Sequence, residues 1–289
     1  MGNKMLVWGR AAVFAHLNGL PLFSDPWGEL RPGPLLRGER DRLFYYGFFK
    51  DTAEPGWLER TRARYLLPRV NEPPIAVCPI EDGKVYYFNT WYHWSDYFNG
   101  LHDHRDLLRR RLRAMLHPRM QRMLEELERE PPPVIGINVR LSHFLKLPPG
   151  KEFQGGGYRT PYEYFKGIIE GIRTIAGAPW PVTIFSDGYE KDLAPILSLP
   201  GVFRSPLRPA IIDLLLLSRS RVVVASSGST FSYWAMFLSD APALRHPVDK
   251  VVCETRPANL LPNVFEGPVT GPCESWPALL QENLRNISL

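Results

Sequence analysis

Between residues 134 and 238 short apolar β-branched runs alternate with helical stretches, and few architectures accept that pattern. Residues 134–139 form a short apolar run flanked by turn signals, which predicts a buried strand. A Pro/Gly-rich loop follows at 145–158, and Thr160-Pro161-Tyr162-Glu163 then reads as a capping box. The predicted helix carries Phe165, Ile168, Ile169 and Ile172 on one face. Residues 181–185 predict a second strand ending at Ser186-Asp187, where Asp187 can cap a short helix with Glu190 three residues on. A helix at 211–217, a strand at 221–225, the turn Ser226-Ser227-Gly228-Ser229 and a helix at 230–238 complete the series. Strands separated by helices pair in parallel and are covered on both faces. The C-terminal half is therefore expected to be a doubly wound, nucleotide-binding α/β domain.

The first half is less regular. A helix is expected over 6–17, stopped by Asn18-Gly19, and another over about 106–128, bent at Pro118. Pro131-Pro132-Pro133 cannot continue that helix and marks the preferred boundary. The expected organisation is an N-terminal domain over 1–130, a nucleotide-binding domain over 131–270 and a C-terminal helix within 271–289. Residues 86–98 are densely aromatic; they read equally as core and as a sugar platform beside His93 and Asp96.

No apolar run is long enough to span a bilayer. Cys78, Cys253 and Cys273 form neither a metal pattern nor a disulfide framework, which suits a reducing, cytoplasmic compartment with at most peripheral membrane contact. The net charge of +5 suits an anionic partner. Its densest run, 105–113, reads as a solvated helix face or as a binding patch. Nucleic acid is not expected, because the basic residues are scattered and no recognition motif is present.

Three strand ends carry polar groups suited to a nucleotide. The turn at 226–229 precedes a helix whose first amides and dipole favour an anion, with Ser227, Ser229 and Thr230 as added hydroxyl donors, although Ser229 is also a plain N-cap. Arg140 follows the 134–139 strand, where a guanidinium can meet a phosphate or simply point to solvent. Ser186-Asp187 ends a third strand. The chain has no Asp-x-Asp metal motif, no Walker loop and no Gly-x-Gly-x-x-Gly. His102-Asp103-His104 lacks a third ligand, so no metal site is expected.

In order, these motifs resemble the bacterial α-1,2-fucosyltransferases and, more distantly, other GDP-fucose-dependent transferases of the GT-B type. Four blocks carry the resemblance across nearly the whole chain. The first is Gly2-Asn3-Lys4-Met5 with Arg10-Ala11-Ala12 and Asn18-Gly19-Leu20-Pro21-Leu22, and the second is Trp91-Tyr92-His93-Trp94-Ser95-Asp96-Tyr97-Phe98. The third is Asn138-Val139-Arg140-Leu141-Ser142-His143-Phe144, against the family's His-x-Arg-Arg-x-Asp. The fourth is Phe185-Ser186-Asp187, Asp213-Leu214 and Ser229-Thr230-Phe231-Ser232-Tyr233-Trp234.

The resemblance implies two Rossmann-like domains with parallel sheets and an inverting, metal-independent transfer of a sugar from GDP-fucose to a glycan hydroxyl. The N-terminal domain is expected without its first strand, or from a start placed too late, because the chain opens at the family's Gly-Asn loop. Arg140, Ser229, Thr230 and Phe231 would contact the donor phosphates, Asp187 would lie near the nucleoside, and Asn138, Ser186, Ser227 and Gly228 would complete the donor site. Asn138, Leu141 and His143 depart from the family's histidine, second arginine and aspartate, which leaves Arg140 as the motif's only retained charge. His143 is then the expected base, with Asp96 as a second candidate. A catalytically inactive nucleotide- or sugar-binding homologue is the alternative.

Overall fold

The computed structural model describes residues 1–24, 27–28, 36, 38, 45–50, 56–90, 96–249, 254–256 and 260–288. Residues 91–95, including His93, and Cys253 lie outside the described residues.

In the N-terminal half, helix α1 spans Gly2–Leu17 and α2 spans Trp57–Tyr65. Strands β1 (Arg69–Asn71) and β2 (Val85–Tyr87) pair in parallel. Helices α3 (Arg105–Ala114) and α4 (Pro118–Glu128) replace the single bent helix expected over 106–128. Pro118 does not kink a helix but opens one, at the position where its missing N–H costs nothing, and the His117 ring accepts the Arg119 amide.

The C-terminal half holds β3 (Ile135–Val139), α5 (Tyr162–Ala176), β4 (Val182–Ser186), α6 (Glu190–Leu197), β5 (Val202–Arg204), α7 (Ala210–Ser218), β6 (Val222–Val224), α8 (Thr230–Leu238), β7 (Ala243–Arg245), β8 (Glu266–Pro268) and α9 (Ala278–Arg285). The six strands form one parallel sheet in the order β5-β4-β3-β6-β7-β8. The chain is thus α/β with parallel sheets, as the strand–helix alternation predicted.

Alternation along each strand builds two apolar layers. Val222 and Val224 join Phe165, Ile168, Ile169 and Ile172 of α5 and Leu280 and Leu284 of α9 on one face. Val223 and Ala225 join α7 and α8 on the other, where α1, α3 and α4 extend the same core across the three prolines. Each large side chain buried in this way contributes roughly 1.5–3 kcal/mol. Phe98 stacks on Phe237 at 4.9 Å between centroids and meets Trp234 edge-on, so this end of the aromatic stretch is core.

Two capping readings change. Thr160 does not cap α5; its hydroxyl accepts the Ser227 amide at 3.0 Å, and Pro161 takes the N-cap. Asp187 does not cap α6, because its carboxylate accepts the amides of Leu141 and Ser142 (2.8 and 3.2 Å). In both cases a contact between neighbouring strand-end loops displaces the local one.

Further from the sheet, Arg10 of α1 is buried against Glu72, with 2.6 Å between Nε and Oε1, and donates to the Thr90 carbonyl. Burial pushes the Glu72 carboxyl up, but hydrogen bonds from Thr90 and Arg10 outweigh it and hold it below its ordinary value. This pair ties α1 to the segment around β1.

Candidate functional site

Strand order decides where a ligand can sit. From β3 the chain moves outward through β4 to β5, crosses back to β6 and moves outward the other way through β7 to β8. The loops after β3 and β6 therefore diverge and open a crevice beyond the carboxyl ends of both strands, the usual ligand position in doubly wound sheets. A cleft of about 760 Å³ lies there. It gathers Asn138, Arg140 and His143 from the end of β3 and beyond, Ser186 and Asp187 from the end of β4, and Gly228, Ser229, Thr230 and Phe231 from the start of α8. Ser227 and Asp96 do not line it. Ser227 is buried behind the turn, its hydroxyl directed to Asp249 at 3.4 Å. The Asp96 carboxylate accepts Asn99 Nδ2 at 3.0 Å.

The cleft walls are fixed by buried hydrogen bonds. Asn138 donates to the Phe185 carbonyl, while its Oδ1 accepts the hydroxyls of Ser229 (3.1 Å) and Ser232 (2.8 Å). Ser226 Oγ donates to the Asn138 carbonyl and accepts the Arg140 amide. One side chain, Asn138, thus locks β3, β4 and the start of α8 together. A neutral amide suits this position because it must donate and accept at once. Asp187 holds the loop after β3 and pairs with Arg140, Nη1 to Oδ2 at 2.6 Å. A guanidinium has five N–H donors, so this ion pair orients Arg140 and remains compatible with a bidentate contact to a phosphate.

Behind the turn, Gly228 adopts a φ of +71°, which a side chain would strain. Its amide donates to Tyr233 Oη at 2.7 Å, and that phenol donates to Asp249 at 2.6 Å. Burial, with the Asp249 carboxylate beside it, pushes the Tyr233 phenol well above its ordinary range. The turn is therefore braced from behind, while the amides of Thr230 and Phe231, first in α8, have no carbonyl one turn upstream within the helix to receive them.

Helix α8 is not alone. The first residues of α1, Met1 to Lys4, line the same cleft, as do Leu207 to Ala210 at the start of α7. A Cβ on Gly2 would fall 2.5 Å from Thr230 Oγ1, and one on Gly9 would fall 3.3 Å from the Trp234 ring. Trp234 Nε1 donates to the Gly2 carbonyl. These contacts set α1 and α8 side by side in the same sense, so their positive dipole ends converge on one opening. Parallel dipoles repel, and an anion in the cleft relieves that repulsion.

His143 lines the opening, is exposed, and has a φ of +64°, a conformation uncommon outside glycine. Tyr97, from the aromatic stretch read equally as core and as a sugar platform, also lines the cleft, as do Tyr45, Phe48 and the 207–210 segment, which sequence reasoning did not select. The proline at 209 ahead of an apolar run was a usable signal for a helix start. Nothing local marked Asp249, whose partners lie 16 to 22 residues away in sequence.

No family model matches the chain, and no curated protein matches it. Among solved structures, NodZ alpha-1,6-fucosyltransferase soaked with GDP-fucose aligns at 18% identity over 47% of each chain, with a TM-score of 0.32. The selenomethionine form of NodZ from Bradyrhizobium aligns at 16% over 47% of each chain, with a TM-score of 0.30. CalG4, the calicheamicin glycosyltransferase, aligns at 15% over 54% of this chain and 37% of that one, also with a TM-score of 0.30. The chain spans less than half the length of these structures. Strand order and register, not these alignments, define the fold.

Proposed function

We propose that the protein is a glycosyltransferase that moves a sugar from a nucleotide-diphosphate donor to a glycan hydroxyl with inversion. The observation that carries the reading is the convergence of three helix N-termini and Arg140 on a single cleft at the switch point of the sheet. A leaving diphosphate gains one unit of negative charge as its bond to the anomeric carbon breaks, and prearranged N–H donors meet it without reorganisation. Arg140 and the amides of Thr230 and Phe231 take that role, which a divalent metal fills in other transferases. The motif order of the sequence favours GDP-fucose as donor.

In the proposed step a base takes the acceptor O–H proton, the oxygen attacks the anomeric carbon, and the bond to the diphosphate oxygen breaks as GDP leaves. His143 is the proposed base. It stands at the cleft, it is exposed, and histidine titrates near neutral pH. Asp96, outside the lining, has less support.

The test is release of GDP from GDP-fucose with a panel of oligosaccharide acceptors, the product's anomeric configuration being read by NMR. Acceptor-dependent release with inversion, reduced by about 10²–10⁴ in His143→Ala, is expected. Retention would remove the mechanism. GDP binding without any turnover would favour an inactive nucleotide-binding protein.

A further inference from the structure

Helix α2 presents its apolar side to solvent. Trp57 and Tyr65 are each 73% exposed, Leu58 63% and Leu66 76%, whereas Ala63 is the helix's one buried residue. With 3.6 residues per turn, the arc that holds Trp57, Thr61, Tyr65 and Leu58 is centred opposite Ala63, and Thr61 turns its hydroxyl back onto the Trp57 carbonyl at 2.8 Å. The apolar face therefore points directly away from the protein body. Arg60 and Arg64 border that arc on one side and Arg62 on the other. Glu59 projects elsewhere and accepts the Gly56 amide at 3.2 Å, closing the start of the helix. Arg69, just beyond the helix, donates to the Arg64 carbonyl at 2.7 Å and lies over the Tyr87 ring. Between residues 57 and 69 the chain holds four arginines and a single glutamate.

We propose that α2 docks on the surface of an anionic phospholipid bilayer. Charge and apolarity together select this occupant. A protein partner needs roughly 800 Å² per side for a stable interface, more than one short helix face offers. A nucleic acid would use the arginines but leave Leu58 in water. A bilayer interface accepts both, since aromatic and leucine side chains sink to the headgroup boundary while flanking arginines meet lipid phosphates. No α2 residue lines the cleft, so docking through α2 does not depend on what the cleft binds. No helix among the described residues is long and apolar enough to cross a membrane, so the contact is peripheral.

Co-sedimentation of the full chain with vesicles tests this, using phosphatidylcholine alone and a one-to-two mixture of phosphatidylserine and phosphatidylcholine. Binding to the mixed vesicles only, weakened by salt, is expected. Trp57→Ala with Leu58→Ala should weaken it by about tenfold or more, and each of Arg60→Gln, Arg62→Gln and Arg64→Gln by about fivefold. The changed residues are exposed except Arg60, which is half-buried, and unchanged thermal melts will show that the variants fold. Failure to bind either vesicle, or equal binding by wild type and variants, would overturn the proposal. So would variants that keep vesicle binding but lose turnover with an oligosaccharide, which would assign the face to the acceptor instead.

Discussion

The two ends of α8 use arginine for opposite purposes. At the C-terminal end, Arg105 is buried and donates to the carbonyls of Phe237 and Ser239, and Arg109 donates to Leu238. Asp240 bridges both guanidinium groups at 2.6 and 2.9 Å, and Arg256 donates to Ser239 and Ala241. The Phe237 and Leu238 carbonyls, last in the helix, thus take guanidinium donors, and the charges there serve the fold. At the N-terminal end, Gly228, Ser229, Thr230, Phe231 and Arg140 line an open cleft. A basic run in a sequence therefore does not identify a binding patch. Arg105 and Arg109 of the run at 105–113 cap the C-terminal end of α8, whereas Arg140, after its strand, borders the cleft.

Breaking the capped end should have the larger effect on stability. Arg105→Ala leaves Asp240 with Arg109 alone and the Phe237 carbonyl without its guanidinium donor, while Ser239 keeps Arg256, a loss of about 1–3 kcal/mol. Thermal or urea unfolding will show it, while nucleotide affinity per folded molecule stays as in wild type. Arg140→Ala should weaken nucleotide binding by about 1.5–3 kcal/mol and also lower the melting temperature, because the buried Asp187 carboxylate keeps only the Leu141 and Ser142 amides. Ser229→Ala removes the N-cap and one donor to Asn138, and should cost about 1 kcal/mol of stability.

A separate effect is expected in pH dependence. His246 packs between the rings of Phe153 and Tyr164, and burial lowers its pKa from 6.5 to about 4. The unfolded chain then binds a proton between those values that the folded chain refuses. Stability should be full above pH 6.5 and fall as pH drops towards 4. In His246→Phe that slope should flatten; an unchanged slope would place its cause elsewhere.

Periodicity made the sheet legible where apolar runs were uninterrupted. Strands β3, β4 and β6 and helices α7 and α8 lie within a residue of their predicted bounds. Strands β5, β7 and β8 were missed. Each has three residues, and Phe203 and Pro268 stand exposed within two of them, so no run is long enough to show a period. For the site, the strand-end rule drew Arg140, Ser186, Asp187 and the α8 turn to one region. It could not assign roles inside that region. Asn138 and Asp187 bond to loops far along the chain, and the α1 contribution depends on Gly2 meeting Thr230 across 228 positions. Such pairings follow from packing, which a single sequence does not display.

The most direct test is calorimetric titration of wild type, Arg140→Ala and Arg109→Ala with GDP, each with and without EDTA. The account predicts stoichiometric GDP binding that ignores EDTA, weakens by more than about tenfold in Arg140→Ala and survives in Arg109→Ala. Undiminished affinity in Arg140→Ala, or an equal loss in both variants, would contradict the assignment of nucleotide binding to the N-terminal end of α8.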